Sequence, residues 1–139
     1  MNKKNLLFIL IAALLFSLCA GGWYMYTQIL NPKHREIEKE KGIRINAEEL
    51  YQSFLSDEKA ANAAYLEKAI EINGKIGSIS KNADSSQVLF LQTSDPVFGV
   101  NCTMEEKAEN LKAGDSVRVK GICSGFINDV VLIRCHVIE

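Results

Sequence analysis

The chain has 139 residues, 47% hydrophobic and 24% charged, with a net charge of −1, which leaves room for one domain and a short appendage. That near-neutral total conceals a split: residues 1–43 carry six Lys/Arg against three Glu, a net +3, and the remaining 96 carry ten basic and fourteen acidic residues, a net −4. A domain that neutralises a phosphate backbone needs a surplus of Lys and Arg, so the balance argues against nucleic acid as the partner.

After Lys3 and Lys4 the chain runs LLFILIAALLFSLCAGGWYMY without a charge. A helix of that length crosses a hydrocarbon core of about 30 Å. Residues 1–30 therefore read as a transmembrane segment from about Leu6 to Trp23, with Trp23, Tyr24 and Tyr26 placed as an interfacial belt. The run exceeds a cleavable signal's apolar region, which favours a retained single-pass signal anchor. The alternatives are a signal cleaved near Cys19-Ala20-Gly21 and a lipoprotein acylated at Cys19, although Leu18 stands where lipidation asks for a small residue. Lys3 and Lys4 abut the apolar run and set the N-terminus inside, against a count of four basic residues on the far flank. Residues 31–45 read as a charged, solvated linker that includes PKHREIEKEKG.

Residues 46–139 read as a helix followed by a barrel. Asn46 with Glu49 is a helix start of the capping-box kind. Leu50, Tyr51, Phe54, Leu55, Ala61 and Tyr65 then form one broad apolar face on a helix that ends near Lys68. Beyond it the period changes to two. Asn73-Gly74 invites a hairpin, but a two-residue loop there would set Ile72 opposite Lys75 and Glu71 opposite Ile76, mismatching both pairs. One long strand, 69–80, bent at an inward-facing Gly74, keeps Ile70, Ile72 and Ile76 on one face. Further strands are expected at 87–93, 97–104, 115–127 and 130–138, with a short helical stretch at 105–111. The order helix, three strands, short helix, two strands is that of a mainly β, five-stranded OB-type Greek-key barrel.

The segments IEINGKIGSI, VNC, GDSVRVKGICSG and VVLIRC, with the AANAAY helix segment at 60–65, resemble the tRNA_anti-like OB family of bacteria. The resemblance implies an OB barrel behind a signal or membrane segment. It implies a fold rather than a chemistry.

Candidate chemistry is sparse. Val117, Val119, Gly121 and Cys123 share one parity, and Val131, Ile133, Cys135 and Val137 share another. With both inward, a loop at 128–130 opposes Cys123 to Cys135, while Phe98, Val100 and Cys102 line up inside. A disulfide between two of Cys102, Cys123 and Cys135 is therefore expected, with its pairing open. No C-x-x-C or zinc-type spacing occurs, S-x-x-K at 56–59 stands without its companion motifs, and no triad can be assembled. The chain reads as no enzyme and as needing no cofactor. OB domains bind ligands on the middle strands and adjoining loops, which here points to Lys81 and Asn82 in one loop and Phe126, Asn128 and Asp129 in another. Lys75, Arg118, Lys120 and Arg134 complete the available cations, with Phe90 and Phe98 read as core. The expectation is a binding or scaffolding module on the outer side of the bacterial inner membrane, meeting an envelope protein or small ligand. The alternative is a cytoplasm-facing OB protein that binds nucleic acid.

Overall fold

The computed structural model describes residues 2–29 and 36–138, in two compact units, Met1–Arg35 and Glu36–Glu139. In the first unit α1 (Lys3–Ile29) is one helix. Its stretch Lys3–Thr27, 25 residues, is long and apolar enough to cross a membrane, reaching about 37 Å at 1.5 Å per residue. Leu6 and Trp23 both lie on it, their side chains uncovered by protein. Residue 30 and the linker residues 31–35, His34 among them, lie outside the described residues.

The rest of the expected linker is not a solvated spacer. A single 3-10 turn (Ile37–Lys39) buries Ile37, 2% exposed, against Ala69 and Ile122. Residues Ile43–Asn46 form β1, which pairs in parallel with the start of β2. Two isoleucines among the charges, Ile37 and Ile45, supply the apolar contact that a count of charges hides.

The barrel strands are β2 (Ala69–Lys81), β3 (Gln87–Leu91), β4 (Val100–Met104), β5 (Ser116–Phe126) and β6 (Val130–Val137). They run in the order β2-β3-β4-β6-β5, and β5 returns to β2 to close the sheet. The β4–β6 pair is parallel and the other barrel pairs are antiparallel. This is the five-stranded OB plan, and β2 is the long strand expected, with no hairpin at Asn73-Gly74.

The single helix expected from Asn46 is two helices, α2 (Ala47–Ser56) and α3 (Glu58–Tyr65). Asn46 caps the first, its Oδ1 accepting from Glu49 N at 2.8 Å. Asp57 breaks the run: its backbone is extended, its N–H closes α2 on Ser53 O, and its Oδ1 accepts from Ala60 N at 3.0 Å to cap α3. A short polar side chain that captures backbone N–H groups favours a cap over a helix interior. The Ser56–Lys59 motif is this junction. Leu50, Tyr51, Phe54 and Ala61 are buried as expected, but Leu55, at the edge of the apolar face of α2, is 51% exposed.

Residues 105–111 form no helix; the whole 105–115 connection is a loop. Seven residues whose only apolar anchors are Ala108 and Leu111 make a marginal helix, and local side chains capture the backbone instead. The Gln87 carboxamide grips Ala108 at both its N–H and C=O, 2.8 and 3.2 Å, and Asp115 Oδ2 accepts from Lys112 N at 2.8 Å.

Strand β6 does not keep the expected parity. Val130 and Leu132 point inward, whereas Val131 is only half-buried and Ile133 and Val137 are exposed. The register passes from Ile122↔Ile133 to Lys120↔His136, so Arg134 and Cys135 together oppose Gly121. Arg134 takes a φ of +53° at this bulge. The extra residue reverses parity, and Cys135 returns to the interior. The β5–β6 turn pairs Phe126 with Val130, two positions off the register that would oppose Cys123 to Cys135, and a second irregularity between Cys123 and Gly125 leaves Cys123 opposite Leu132.

The expected disulfide is therefore absent. Cys102, Cys123 and Cys135 are buried free thiols. Cys135 lies within hydrogen-bonding reach of Cys102 across β4 and β6. That contact, then burial, pushes the Cys135 thiol far up from its ordinary pKa. Burial likewise raises Cys123.

Two outcomes follow from this packing. Phe54→Ala should lower the unfolding free energy of the full chain by about 3–5 kcal/mol and Leu55→Ala by at most about 0.5 kcal/mol, read from circular-dichroism denaturation in detergent. Without any reductant, mass spectrometry should find Cys102, Cys123 and Cys135 unmodified by maleimide in the native protein at neutral pH and all three modified after denaturation; a disulfide would leave two of them blocked in both states.

Candidate functional site

The burial of β3 and β4 alternates. Leu89, Leu91, Val100, Cys102 and Met104 face the interior, while Val88, Phe90, Asn101 and Thr103 face outward and are half-buried. The register sets Ser78, Phe90, Asn101 and Val131 in one row across four strands, and Ser80, Val88 and Thr103 in the next. This outer surface carries no charge along either row.

Phe90 sits at its centre, which corrects its assignment to the core. Its ring lies over the backbone at Gly77 and Gly99: a Cβ at either position would come within 2.9 and 3.0 Å of the ring. Gly77 on β2 and Gly99 just before β4 leave room for the ring to lie down and shed part of its water without entering the core. The signal was present in VLFL, where Phe90 has the parity opposite to Leu89 and Leu91, but reading it required the two glycines. Phe98 does pack against the core, half-buried.

The two expected loops do not meet. Lys81 and Asn82 follow the Lys81↔Gln87 end of β2 and β3, whereas Phe126, Asn128 and Asp129 lie at the Phe126↔Val130 end of β5 and β6. The row Val88↔Thr103 borders the first loop, and Val100↔Val130 the second, so the loops lie at opposite ends of the face. Several of their side chains hold the fold. Phe126 stacks on Phe54 with centroids 5.5 Å apart and meets Tyr51 edge-on at 6.2 Å. Asp129 ties the β5–β6 turn to β4, accepting from Gly99 N at 2.7 Å and Asn101 Nδ2 at 3.0 Å. Asn82 Oδ1 accepts from Asp84 N at 3.1 Å and Ser86 N at 2.9 Å, which rigidifies its own turn. Lys81 and Asn128 are exposed.

The end with Phe126 is sealed by α2. Glu48 accepts from the Ser94 hydroxyl at 2.6 Å and also from Ser94 N and Gln52 Nε2. These bonds, those of Ser94 foremost, hold its carboxyl below the ordinary range. Tyr51 donates to Asp95 Oδ2 at 3.3 Å, and burial, then the Asp95 charge, raises its phenol. Asp95 itself accepts from the N–H groups of Phe98 and Val97, which hold its carboxyl down.

The expected cations divide. Lys120 is 6% exposed, donates to the Glu40 carbonyl and lies 3.7 Å from Glu71, which also pairs with Arg44 at 3.0 Å. Arg134 and His136 both meet Glu105, at 3.5 and 3.0 Å. Lys75 and Lys81 are exposed. Among the described residues, no three His, Cys, Asp or Glu side chains gather as a metal would require.

Among the described residues, concavities include a small one of about 220 Å³ at Arg44, Glu71, Asn73 and Arg118, and two larger ones. A shallow groove of about 510 Å³ crosses β2 at Gly74, beside Asn46, Lys75, Gln92 and Arg118. A second cavity, about 530 Å³, opens between the 82–86 turn and the start of the 105–115 loop, over Ile79 and Met104.

No curated protein matches the chain. Five chains of solved structures match it. One is a candidate nucleic acid-binding lipoprotein from Klebsiella pneumoniae subsp. pneumoniae MGH 78578, 15% identical, aligned over 69% of this chain and 92% of its own, with a TM-score of 0.49. That likeness is too distant to bear on a ligand. The family model described as tRNA_anti-like matches residues 1–137. With a closed five-stranded barrel behind an apolar N-terminal helix, the chain belongs to the tRNA_anti-like family.

Proposed function

We propose that this protein is a membrane-tethered binding module of the bacterial cell envelope, without enzymatic activity, whose barrel lies on the extracytoplasmic side and engages its partner through the outer face of β3, β4 and β6. The observation that carries this reading is the uncharged, half-exposed surface centred on Phe90, bordered by Val88, Thr103, Val131 and Ile133. An aromatic ring laid flat among small polar and β-branched side chains suits an envelope protein segment or an uncharged small ligand. A polyanion would need cations along that face, and the rows that cross it supply none. The Lys3–Thr27 helix supports the tether, and Lys3 and Lys4 at its head support the orientation.

Two experiments test the reading. Alkaline phosphatase, active only outside the cytoplasm, should be active when fused after Glu139; activity of a cytoplasm-dependent reporter at the same point would reverse the orientation. A benzophenone amino acid at Thr103 or Ile133 should yield photocrosslinked adducts in living cells that the same probe at exposed Leu55 or Lys59 does not. Equal labelling at all four positions would remove the outer face as the site.

A further inference from the structure

Beyond that outer face, the geometry points to a second site. We infer that the open mouth of the barrel binds a small monoanionic amphiphile, its apolar body on Ile79 and Met104 and its anionic head between Lys81 and Lys107.

The argument starts with what covers each end. Helix α2 and the Phe54–Phe126 stack close one end. At the other, the β4–β5 connection is a loop rather than a helix, and it leaves a cavity of about 530 Å³. A volume of that size is typical of small-molecule sites, which favour barrel mouths. Ile79 and Met104 put apolar surface in it, and Ser80, Ser85 and Ser86 put hydroxyl-bearing residues on its wall.

The walls are held without a ligand. Asn82 fixes the turn on one side through Asp84 N and Ser86 N. Gln87 grips Ala108 on the other side, and Glu105 N donates to Cys135 O at 3.0 Å, anchoring the start of the loop to β6. A preformed cavity spares a ligand the cost of ordering these segments. The shallow groove at Gly74 differs in this respect: Asn46 and Glu48, which line it, are already committed to capping α2 and to Ser94.

Charge selects the head group. Lys81, Lys107, Asp84 and Glu105 line the cavity. The Glu105 carboxylate is engaged by Arg134 and His136, which leaves two ammonium groups against the single carboxylate of Asp84. A surplus of one positive charge at the rim of an apolar floor fits one negative charge on an apolar body.

The test exploits the chain's three methionines, Met1, Met25 and Met104. With methyl-13C-methionine in the full chain, held in phosphatidylcholine nanodiscs, 4-phenylbutanoate should move the Met104 methyl signal saturably, through the ring current of its phenyl group. The dissociation constant should be on the order of 1 mM or tighter, as befits so small a probe. Met25, on the apolar helix, reports partition of the probe into the disc. 4-Phenylbutylamine, the cationic counterpart, should leave Met104 in place. The double variant Lys81→Gln, Lys107→Gln changes two exposed side chains, so the melting temperature should hold while 4-phenylbutanoate binds at least about tenfold more weakly. A Met104 signal that stays put, that moves equally with the amine, or that titrates unchanged in the double variant overturns the site. None of these readouts depends on membrane orientation or on the Phe90 face, so failure here and failure of the envelope reading are separate results.

Discussion

Residues 69–75 of β2 pair with β5, and residues 76–81 with β3, so this strand must turn the barrel's corner while its inward side chains stay inward. Gly74 lies at the turn. A Cβ there would come within 3.0 Å of the Ala47 Cβ and 3.3 Å of Leu91 Cδ1. The start of α2 and the end of β3 thus press on the same point from two elements. With any side chain at 74, one of them would have to move, and each carries something downstream: α2 the aromatic seal, β3 the Phe90 face. The missing side chain thus lets α2 and β3 both close on the bend of β2.

How much of this was legible in the sequence follows from how local each cause is. The Ile70–Ile72–Ile76 parity and the mismatch in the alternative hairpin lie within a dozen residues, and the long strand could be read from them. So could the Asn46 cap, whose partner is three residues away. The departures come from causes that a local window does not contain. Asp57 reads as one polar residue on a helix until its side chain takes the Ala60 N–H. The Arg134 bulge adds one residue to β6, and one residue suffices to exchange the faces of everything before it. The expected thiol pairing failed through the register of the β5–β6 turn and its irregularity at Cys123/Gly125 as well: the three cysteines do face the interior, but Cys123 meets Leu132, and Cys135 meets Cys102. Phe90 needed Gly77 on β2 and Gly99 ahead of β4 to become a surface residue.

The site was less legible than the fold because the side chains with the most obvious chemistry serve the structure. Phe126, Asp129 and Asn82, each conspicuous in a loop, hold a core stack, a turn-to-strand tie and a hairpin tip. Lys120 is spent on the Glu40 carbonyl and Glu71, Arg134 on Glu105. Counting Lys and Arg along the chain overstates what the surface presents, although each of these pairs occupies a carboxylate as well. What remains outward on the middle strands is apolar or neutral, so recognition there rests on shape and burial, with electrostatics contributing least.

The placement of the helices decides how the two ends of the barrel differ. Because α2 precedes β2 in the chain, it arrives at the end where β2 begins and where the β3–β4 and β5–β6 connections turn. There Ser94, Asp95 and Phe126 hold it by side-chain contact. The β4–β5 connection lies at the other end, where Gln87 and Asp115 bind its backbone as an irregular loop before it can wind into a helix. A helix laid there would need an apolar stripe, and Ala108, Leu111 and Ala113 are all that the segment has to offer. The same poverty of hydrophobic residues that prevents a helix therefore leaves Ile79 and Met104 with unfilled space above them, and the sealed end supplies the stability that lets the other stay open.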